Sequence, residues 1–397
     1  MNNTIKLAVA AALLAGASSA NAGIMIPAGD WTLDIGGVVN AYYTHTNFSG
    51  DDATAGERGN GKSVANITTG LLPNYLSVSG KTRQNDLDVG FTISLNPGAS
   101  TRGSGNQGAQ QENRQAFLTF GDKSWGSIKL GKDLGIYASD AILNDMTLLG
   151  VGSAAGDLAG NTTTLGRIGR GFMYADWKSQ IAYSSPNWNG FSFTAGLTQA
   201  WAPEAVTAGL IGQAGGERGG SQTAYEGKAS YEWAGDFGGK VWVSGLSQKV
   251  ELGALGSDRA DAWDLGATVN VAGFGLTGYY GQGNGTGKTV LFAGGYDGFG
   301  KARDSDDWYV QATYAIPGVG TKLGLSYGES TLDGNRTDTF KDSQSSMWTV
   351  GAYHPVTKHL NLVAEYSNAK DKLDSRTAGA DTDVKAKTVS LGAILFF

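Results

Sequence analysis

The feature that most constrains this chain is a two-residue alternation of apolar and polar side chains, repeated from residue 31 to the end. Trp31, Leu33 and Ile35 share one face of the first segment. Leu76, Val78 and Gly80 follow, opposed by Ser77, Ser79, Lys81 and Arg83. Leu87, Val89, Phe91, Ile93 and Leu95 oppose Asp86, Asp88, Thr92 and Ser94, and the pattern returns at Phe191, Phe193, Ala195 and Leu197. It recurs at Trp263 to Val269, Trp308 to Ile316 and Leu360 to Tyr366. A period of two sends successive side chains to opposite faces of an extended strand. About 16 such segments can be placed by their alternation and bounding turn residues. Their centres lie near Val39, Val78, Phe91, Leu118, Leu130, Ile181, Ala195, Ala229, Val243, Ala267, Gly278, Ala312, Leu325, Gly351, Ala364 and Leu391.

A soluble sandwich gives the same alternation, so the connections decide. Some are short: Gly121-Asp122-Lys123-Ser124-Trp125-Gly126, Ser185-Pro186-Asn187-Trp188-Asn189-Gly190, Val271-Ala272-Gly273-Phe274-Gly275 and Ile316-Pro317-Gly318-Val319-Gly320. Between them run long loops rich in Gly, Ser, Thr, Asn and Asp. Short turns on one side and long loops on the other mark an outer-membrane barrel with an even strand number. Every backbone group must be paired in hydrocarbon, so the sheet must close. A barrel of roughly 16 to 18 strands leaves an aqueous channel. The expected fold is therefore all-β: a transmembrane antiparallel β-barrel of about 16 strands, apolar faces to lipid and polar faces to a wet lumen.

The N-terminus agrees with export. Lys6 precedes a short apolar run, and Ala20-Asn21-Ala22 is a small-residue cleavage site. The run is too short to span a bilayer, which takes roughly 20 residues, so residues 1–22 read as a secretory signal peptide and residues 23–397 as the barrel. There is no cysteine, so a secreted chain of this kind must hold together without disulfides. The mature net charge of -7, after loss of Lys6 from a formal -6, argues against nucleic-acid binding.

The last strand is the most specific local signal. Val389, Leu391, Ala393, Leu395 and Phe397 alternate to a terminal aromatic residue. Taken with the rest, the chain resembles the trimeric general porins of Gram-negative bacteria over essentially its whole mature length. Phe397 resembles that family's C-terminal assembly signal. Asn113-Arg114-Gln115-Ala116-Phe117-Leu118-Thr119-Phe120-Gly121, with Trp125-Gly126-Ser127-Ile128-Lys129-Leu130-Gly131-Lys132, resembles the paired strands before the family's third loop. Gly166-Arg167-Ile168-Gly169 resembles the exit from that loop, and Tyr183-Ser184-Ser185-Pro186-Asn187-Trp188-Asn189-Gly190-Phe191 the next strand, turn and strand.

The resemblance implies a third loop, from about 134 to 174, folded into the lumen as the pore's narrowest point. Its acidic side would be Asp140, Asp145 and Asp157. The facing basic wall would be Arg114 and Arg167 by motif match, with Lys81, Arg83 and Lys129 by face parity. Opposed fixed charges across water orient dipolar solutes and bias ion choice. The resemblance further implies a homotrimer in the outer membrane, contacts with membrane lipids and lipopolysaccharide, and insertion by the barrel-assembly machinery. It implies passive diffusion of small hydrophilic solutes and ions, with no cofactor and no metal. Two departures stand out: Leu143-Asn144-Asp145-Met146-Thr147-Leu148-Leu149-Gly150 replaces the usual Pro-Glu-Phe-type loop motif, and Tyr75 sits where the family often has a wall arginine. They keep a second reading open, a substrate-selective channel for one solute class such as organic acids. Within the loop, 138–146 reads as a short helix capped by Ser139.

Other motifs carry less. Gly281-Gln282-Gly283-Asn284-Gly285-Thr286-Gly287-Lys288-Thr289 suggests a phosphate-binding loop, but the glycine needed six residues before Lys288 is Gln282, and no helix follows. His354 and His359 flank a turn without further ligands, and no G-x-S-x-G elbow marks a hydrolase serine. The clusters at Asp51-Asp52 and Asp304-Ser305-Asp306-Asp307 read as solvated loop charge. Trp31, Trp125, Trp188, Trp233, Trp308 and Tyr366 lie near strand ends, as interfacial aromatic girdles do. An outer-membrane enzyme and a plugged structural or adhesive barrel remain the readings from other classes.

Overall fold

Pairing runs between sequence neighbours, from Tyr75–Gln84 with Leu87–Pro97 to Leu360–Ser375 with Thr382–Phe396. The last of these then returns to the first long strand, Trp31–Gly50, setting Leu391 opposite Tyr43 and Phe396 opposite Val38. A closed antiparallel barrel of 16 strands results. The computed structural model describes residues 23–50, 63–100, 111–153, 163–201 and 222–397. The other strands of the ring are Ala116–Asp122, Gly126–Leu134, Trp177–Ser184, Phe191–Thr198, Ala224–Trp233, Phe237–Glu251, Ser257–Val271, Phe274–Asn284, Asp304–Ala315, Lys322–Asp333 and Phe340–Pro355. Every strand centre placed from the alternation falls inside one of them. The proposed leader, 1–22, and Asp51-Asp52 lie outside the described residues.

Short strands complete the ring's edges. Ile24–Ala28 pairs with the lower part of Trp31–Gly50, with Ile24 opposite Ile35. It occupies the edge that the last strand uses higher up. At the junction Gly37 N donates to Phe397 O at 2.8 Å, and Phe397 N donates to Gly37 O at 3.0 Å. The C-terminal residue thus closes the seam with its own backbone, and Gly37 leaves room for its ring.

The two faces differ as the alternation requires. Val39, Ile181, Leu265, Val310, Leu325 and Leu391 point outward and are exposed, while Asn40, Ser94, Gln180, Gln311, Ser326 and Ser390 point inward and are buried. Among the described residues no helix is long and apolar enough to cross a membrane; the strands do so. Aromatic pairs lie on the outer surface. Trp263–Tyr280, Trp308–Tyr327 and Trp348–Tyr366 stand at 5.2 to 5.8 Å toward the long-loop end. Trp188–Phe191 and Phe274–Tyr314 stand toward the short-turn end. Rings that are apolar in body and polar at the tip suit both interfaces.

Val310 sits mid-strand on the outer face, 52% exposed. Val310→Arg is expected to cost about 2–4 kcal/mol when the site meets the bilayer midplane. Urea unfolding in lipid vesicles measures it, and an unchanged midpoint would place this face away from hydrocarbon.

Candidate functional site

The third loop leaves Gly126–Leu134 and returns at Trp177–Ser184, within a few residues of the span expected. It enters the lumen because inward-facing wall groups satisfy its backbone. Ile136 N and Tyr137 N donate to Glu226 Oε2 at 2.8 and 2.9 Å, and Ala138 N donates to Ser244 Oγ at 3.1 Å. Glu226 Oε1 accepts from Lys178 Nζ at 2.5 Å and from Thr198 Oγ1 at 2.9 Å. A buried carboxylate with this many donors is fully satisfied, and each charge-assisted bond is worth roughly 1.5–3 kcal/mol.

The expected helix is shorter than 138–146. Helix α1 spans Ser139–Leu143, and a 3-10 turn spans Met146–Leu149. Ser139 does not cap it. Ala138, at φ 61, reverses the chain one residue earlier, so Ser139 starts the helix and its hydroxyl donates to Ile136 O at 2.9 Å. Asp145 caps the 3-10 turn instead, accepting from Thr147 N at 3.0 Å and Thr147 Oγ1 at 2.5 Å. Gln311 holds this corner, accepting from Met146 N at 2.7 Å and donating to Asn144 O at 3.0 Å.

The loop then crosses the lumen. Val151 N and Gly152 N donate to Glu365 Oε2, each at 2.8 Å, and Tyr353 OH donates to Glu365 Oε1 at 2.6 Å. Gly150 is needed here, because a Cβ would collide with the Glu365 carboxylate. Tyr42 OH donates to Leu149 O at 2.7 Å. A second inward bend, residues 69–74, meets the loop through Leu71 N to Gly150 O at 2.9 Å and Thr164 N to Gly70 O at 3.2 Å. On the return leg Gly171 N donates to Ser330 Oγ at 2.9 Å, and Arg170 pairs with Asp371 at 2.7 Å.

The charges expected from sequence fall in different places. Asp140 is buried between Lys240 Nζ at 2.6 Å and Lys228 Nζ at 3.1 Å. Burial alone would raise its carboxyl, but Lys228 and Lys240 outweigh burial and hold it below the ordinary carboxylate range. Asp145 is buried, and burial pushes its carboxyl up despite the Arg167 guanidinium and Thr147. Asp157 lies outside the described residues. Arg167 is 0% exposed, donating to Met347 O at 2.8 Å, Arg170 O at 3.2 Å and Ser326 Oγ. It anchors the loop to the wall and does not face water. Arg114 is buried too, paired with Glu112 at 2.6 Å over the Trp177 ring. Lys129 faces inward, paired with Asp133 and 4.8 Å from the Phe117 ring centroid. Lys81 is exposed near the short-turn end, and Arg83 is tied there to Asp88 and Asp122 at 2.9 Å each. Only Asp140 and Asp145, with Arg167, are gathered at the crossing. Phe397 closes the seam described above.

The sequence reading missed the groups that do most at this site: Lys228, Lys240, Glu226 and Glu365. The signal was present. Glu226, Lys228 and Ser230 alternate with Tyr225, Ala229 and Tyr231, which places them on the inner face.

Because Asp140 is depressed, its contribution is complete above its ordinary value near 4 and is lost as pH falls through its lower folded value. Asp140→Asn leaves Lys228 and Lys240 without a carboxylate between them. Reversal potentials across a salt gradient should move toward anions by several millivolts at pH 7. An unmoved potential would remove Asp140 from the conducting path.

A family profile described as Gram-negative porin matches residues 8–374. No curated protein matches the sequence. Solved structures share the fold. The outer membrane channel DcaP of Acinetobacter baumannii is 18% identical, with 95% of this chain and 100% of that chain covered at a TM-score of 0.65. The anion-selective porin from Comamonas acidovorans is also 18% identical, with 92% and 100% covered at 0.62. OmpF of Salmonella typhi, solved with daunomycin, is 17% identical, with 93% and 100% covered at 0.55. A closed 16-strand barrel, a lumen crossed by its third loop, and a family match over nearly the whole length agree: the chain belongs to the Gram-negative porins, outer-membrane channels for passive diffusion.

Proposed function

We propose that the third loop, pinned across the lumen from Glu226 to Glu365 and Asp371, is the constriction of a narrow channel for small hydrophilic solutes. The observation that carries this reading is the docking of successive loop amides on wall carboxylates at both ends of the crossing. A loop held that way does not swing aside, so solutes pass beside it by size and charge. The proposal is transport without chemistry: gradient-driven, with no cofactor and no covalent step. A homotrimer, a cleaved leader at 1–22, recognition of Phe397 during assembly and contact with lipopolysaccharide belong to the same proposal, on family grounds.

One observation favours a preference within it. The acidic residues at the crossing are compensated locally, since Asp140 has two lysines against it and Asp145 faces the Arg167 guanidinium. Lys322 faces the lumen below the loop, 5.5 Å from the Tyr353 ring centroid. Among the described residues it has no carboxylate partner. A fixed cation without a counter-charge draws anions into a narrow path. This supports the reading that small carboxylates pass more readily than cations, and the likeness to an anion-selective porin supports it further.

Planar-bilayer recording tests both parts. The wild type should show stable ohmic steps with reversal potentials favouring chloride over potassium, and Lys322→Glu should reverse or abolish that preference with conductance changed less than about twofold. A wild-type chain that forms no channels would sink the constriction reading; equal selectivity in both proteins would sink the role of Lys322.

A further inference from the structure

The third loop is not alone in the lumen. Residues 285–303 connect Phe274–Asn284 to Asp304–Ala315 at the long-loop end, and they include Gly285 to Thr289, the second half of the glycine-rich run that suggests a phosphate-binding loop. No helix follows that run, and Thr286, Gly287, Leu291 and Phe292 are buried while Gly298 and Phe299 stay exposed. The loop is closed at its base by Gly285 N to Arg303 O at 2.9 Å and by Arg303 N to Gly295 O at 2.8 Å. Arg303 also donates to Gly294 O and Tyr296 O and pairs with Asp338 at 2.6 Å. Positive φ at Gly285, Gly287, Gly294 and Phe292 turns the tip inward. Leu291 and Phe292 are then buried in an apolar cluster with Tyr137, Met173, Leu246, Val250, Ala260 and Ala262. Leu246, Val250, Ala260 and Ala262 sit at inward positions of the wall, where a water-filled tube has no use for them.

The tip is fastened at two further points. Tyr174 N of the third loop donates to Thr289 O at 2.9 Å. Lys288 reaches past the strand Lys322–Asp333 to Phe340–Pro355, where Nζ donates to Ser343 O at 2.9 Å, Ser343 Oγ at 2.8 Å and Ser345 Oγ at 3.0 Å. All three acceptors are neutral, and three donors are what an ammonium has to give.

We propose that residues 285–303 form a second selectivity element of the channel, folded into the lumen, latched by Lys288 to the wall strand Phe340–Pro355 and narrowing the path above the third loop. It rests on the channel reading but not on the roles of Asp140 or Lys322. The apolar contacts hold the loop's inner side, and the Lys288 latch sets how far it extends over the opening. The charged groups around the ammonium are Asp371 on Leu360–Ser375, Arg170 on the third loop, Asp307 on Asp304–Ala315 and Asp342 on Phe340–Pro355. Burial pushes Lys288 down to about 8. The latch is thus charged at neutral pH and loses its proton as pH rises through that value.

The chain has no native cysteine, so Lys288→Cys carries a unique thiol. In planar bilayers and in liposome swelling with sugars of graded size, Lys288→Cys should conduct more than wild type by roughly half or more, with a higher size limit. Treatment with 2-aminoethyl methanethiosulfonate, which rebuilds an ammonium at nearly lysine length, should restore wild-type behaviour; the sulfonatoethyl reagent should not. A second variant with 288–301 replaced by a short Gly-Ser link should show the same gain without the latch, guarding against a misfolded single variant. The proposal is overturned if both variants conduct and exclude as wild type does, or if both thiol reagents act alike. A wild type that forms no channels would instead overturn the underlying channel reading.

Discussion

Unpaired backbone is intolerable in hydrocarbon, and most of this structure follows from avoiding it. Each N–H and C=O in the membrane must find a partner inside the protein, so the strands form a ring with no free edge. The demand is sharpest where the ring is sewn shut. There the last strand runs along Trp31–Gly50 to Phe397, and Ile24–Ala28 takes over the same edge below it. Outside the ring the side chains need only be apolar. Inside it they are released from that demand, and the lumen becomes the place where polar design is affordable.

The interior uses that freedom to organise two loops. Wall carboxylates there are acceptors for backbone amides more than charges offered to solutes. Glu226 and Glu365 each take two consecutive loop N–H groups while a lysine or tyrosine completes their bonding. Removing either would leave buried amides unpaired, which costs more than the bond itself is worth. Lys81 and Lys322, near the short-turn end, lie outside this scaffolding.

The barrel was legible in the sequence because the bilayer imposes a strict period of two, and one face of every strand obeys it. That is why Val39, Leu325 and Leu391 could be placed as strand centres facing outward. The lumen was less legible because its face answers to no single solvent. Tyr42, Trp242, Leu246 and Val250 are inward and buried, against the expectation of a uniformly polar lining, because loops rather than water cover them. Arg114 and Arg167 matched a family pattern, but pattern alone does not say whether a guanidinium meets a solute or a carbonyl. The role of Lys288 in the run from Gly281 to Thr289 was hidden for the same reason: its partners Ser343 and Ser345 lie on a strand far away in sequence.

The third loop has a mechanical side as well. It departs between Gly126–Leu134 and Trp177–Ser184 and is fastened to Trp31–Gly50, to Ala224–Trp233 and to the strands from Asp304 to Ser375. Those anchorages are spread around most of the circumference. A wide ring of strands held only by neighbour pairing is easily squashed to an ellipse, and a strut tied at several bearings resists it. Lateral pressure from a crowded bilayer would then deform this cylinder less than an empty one, and its aperture would keep its shape as the surrounding lipids change.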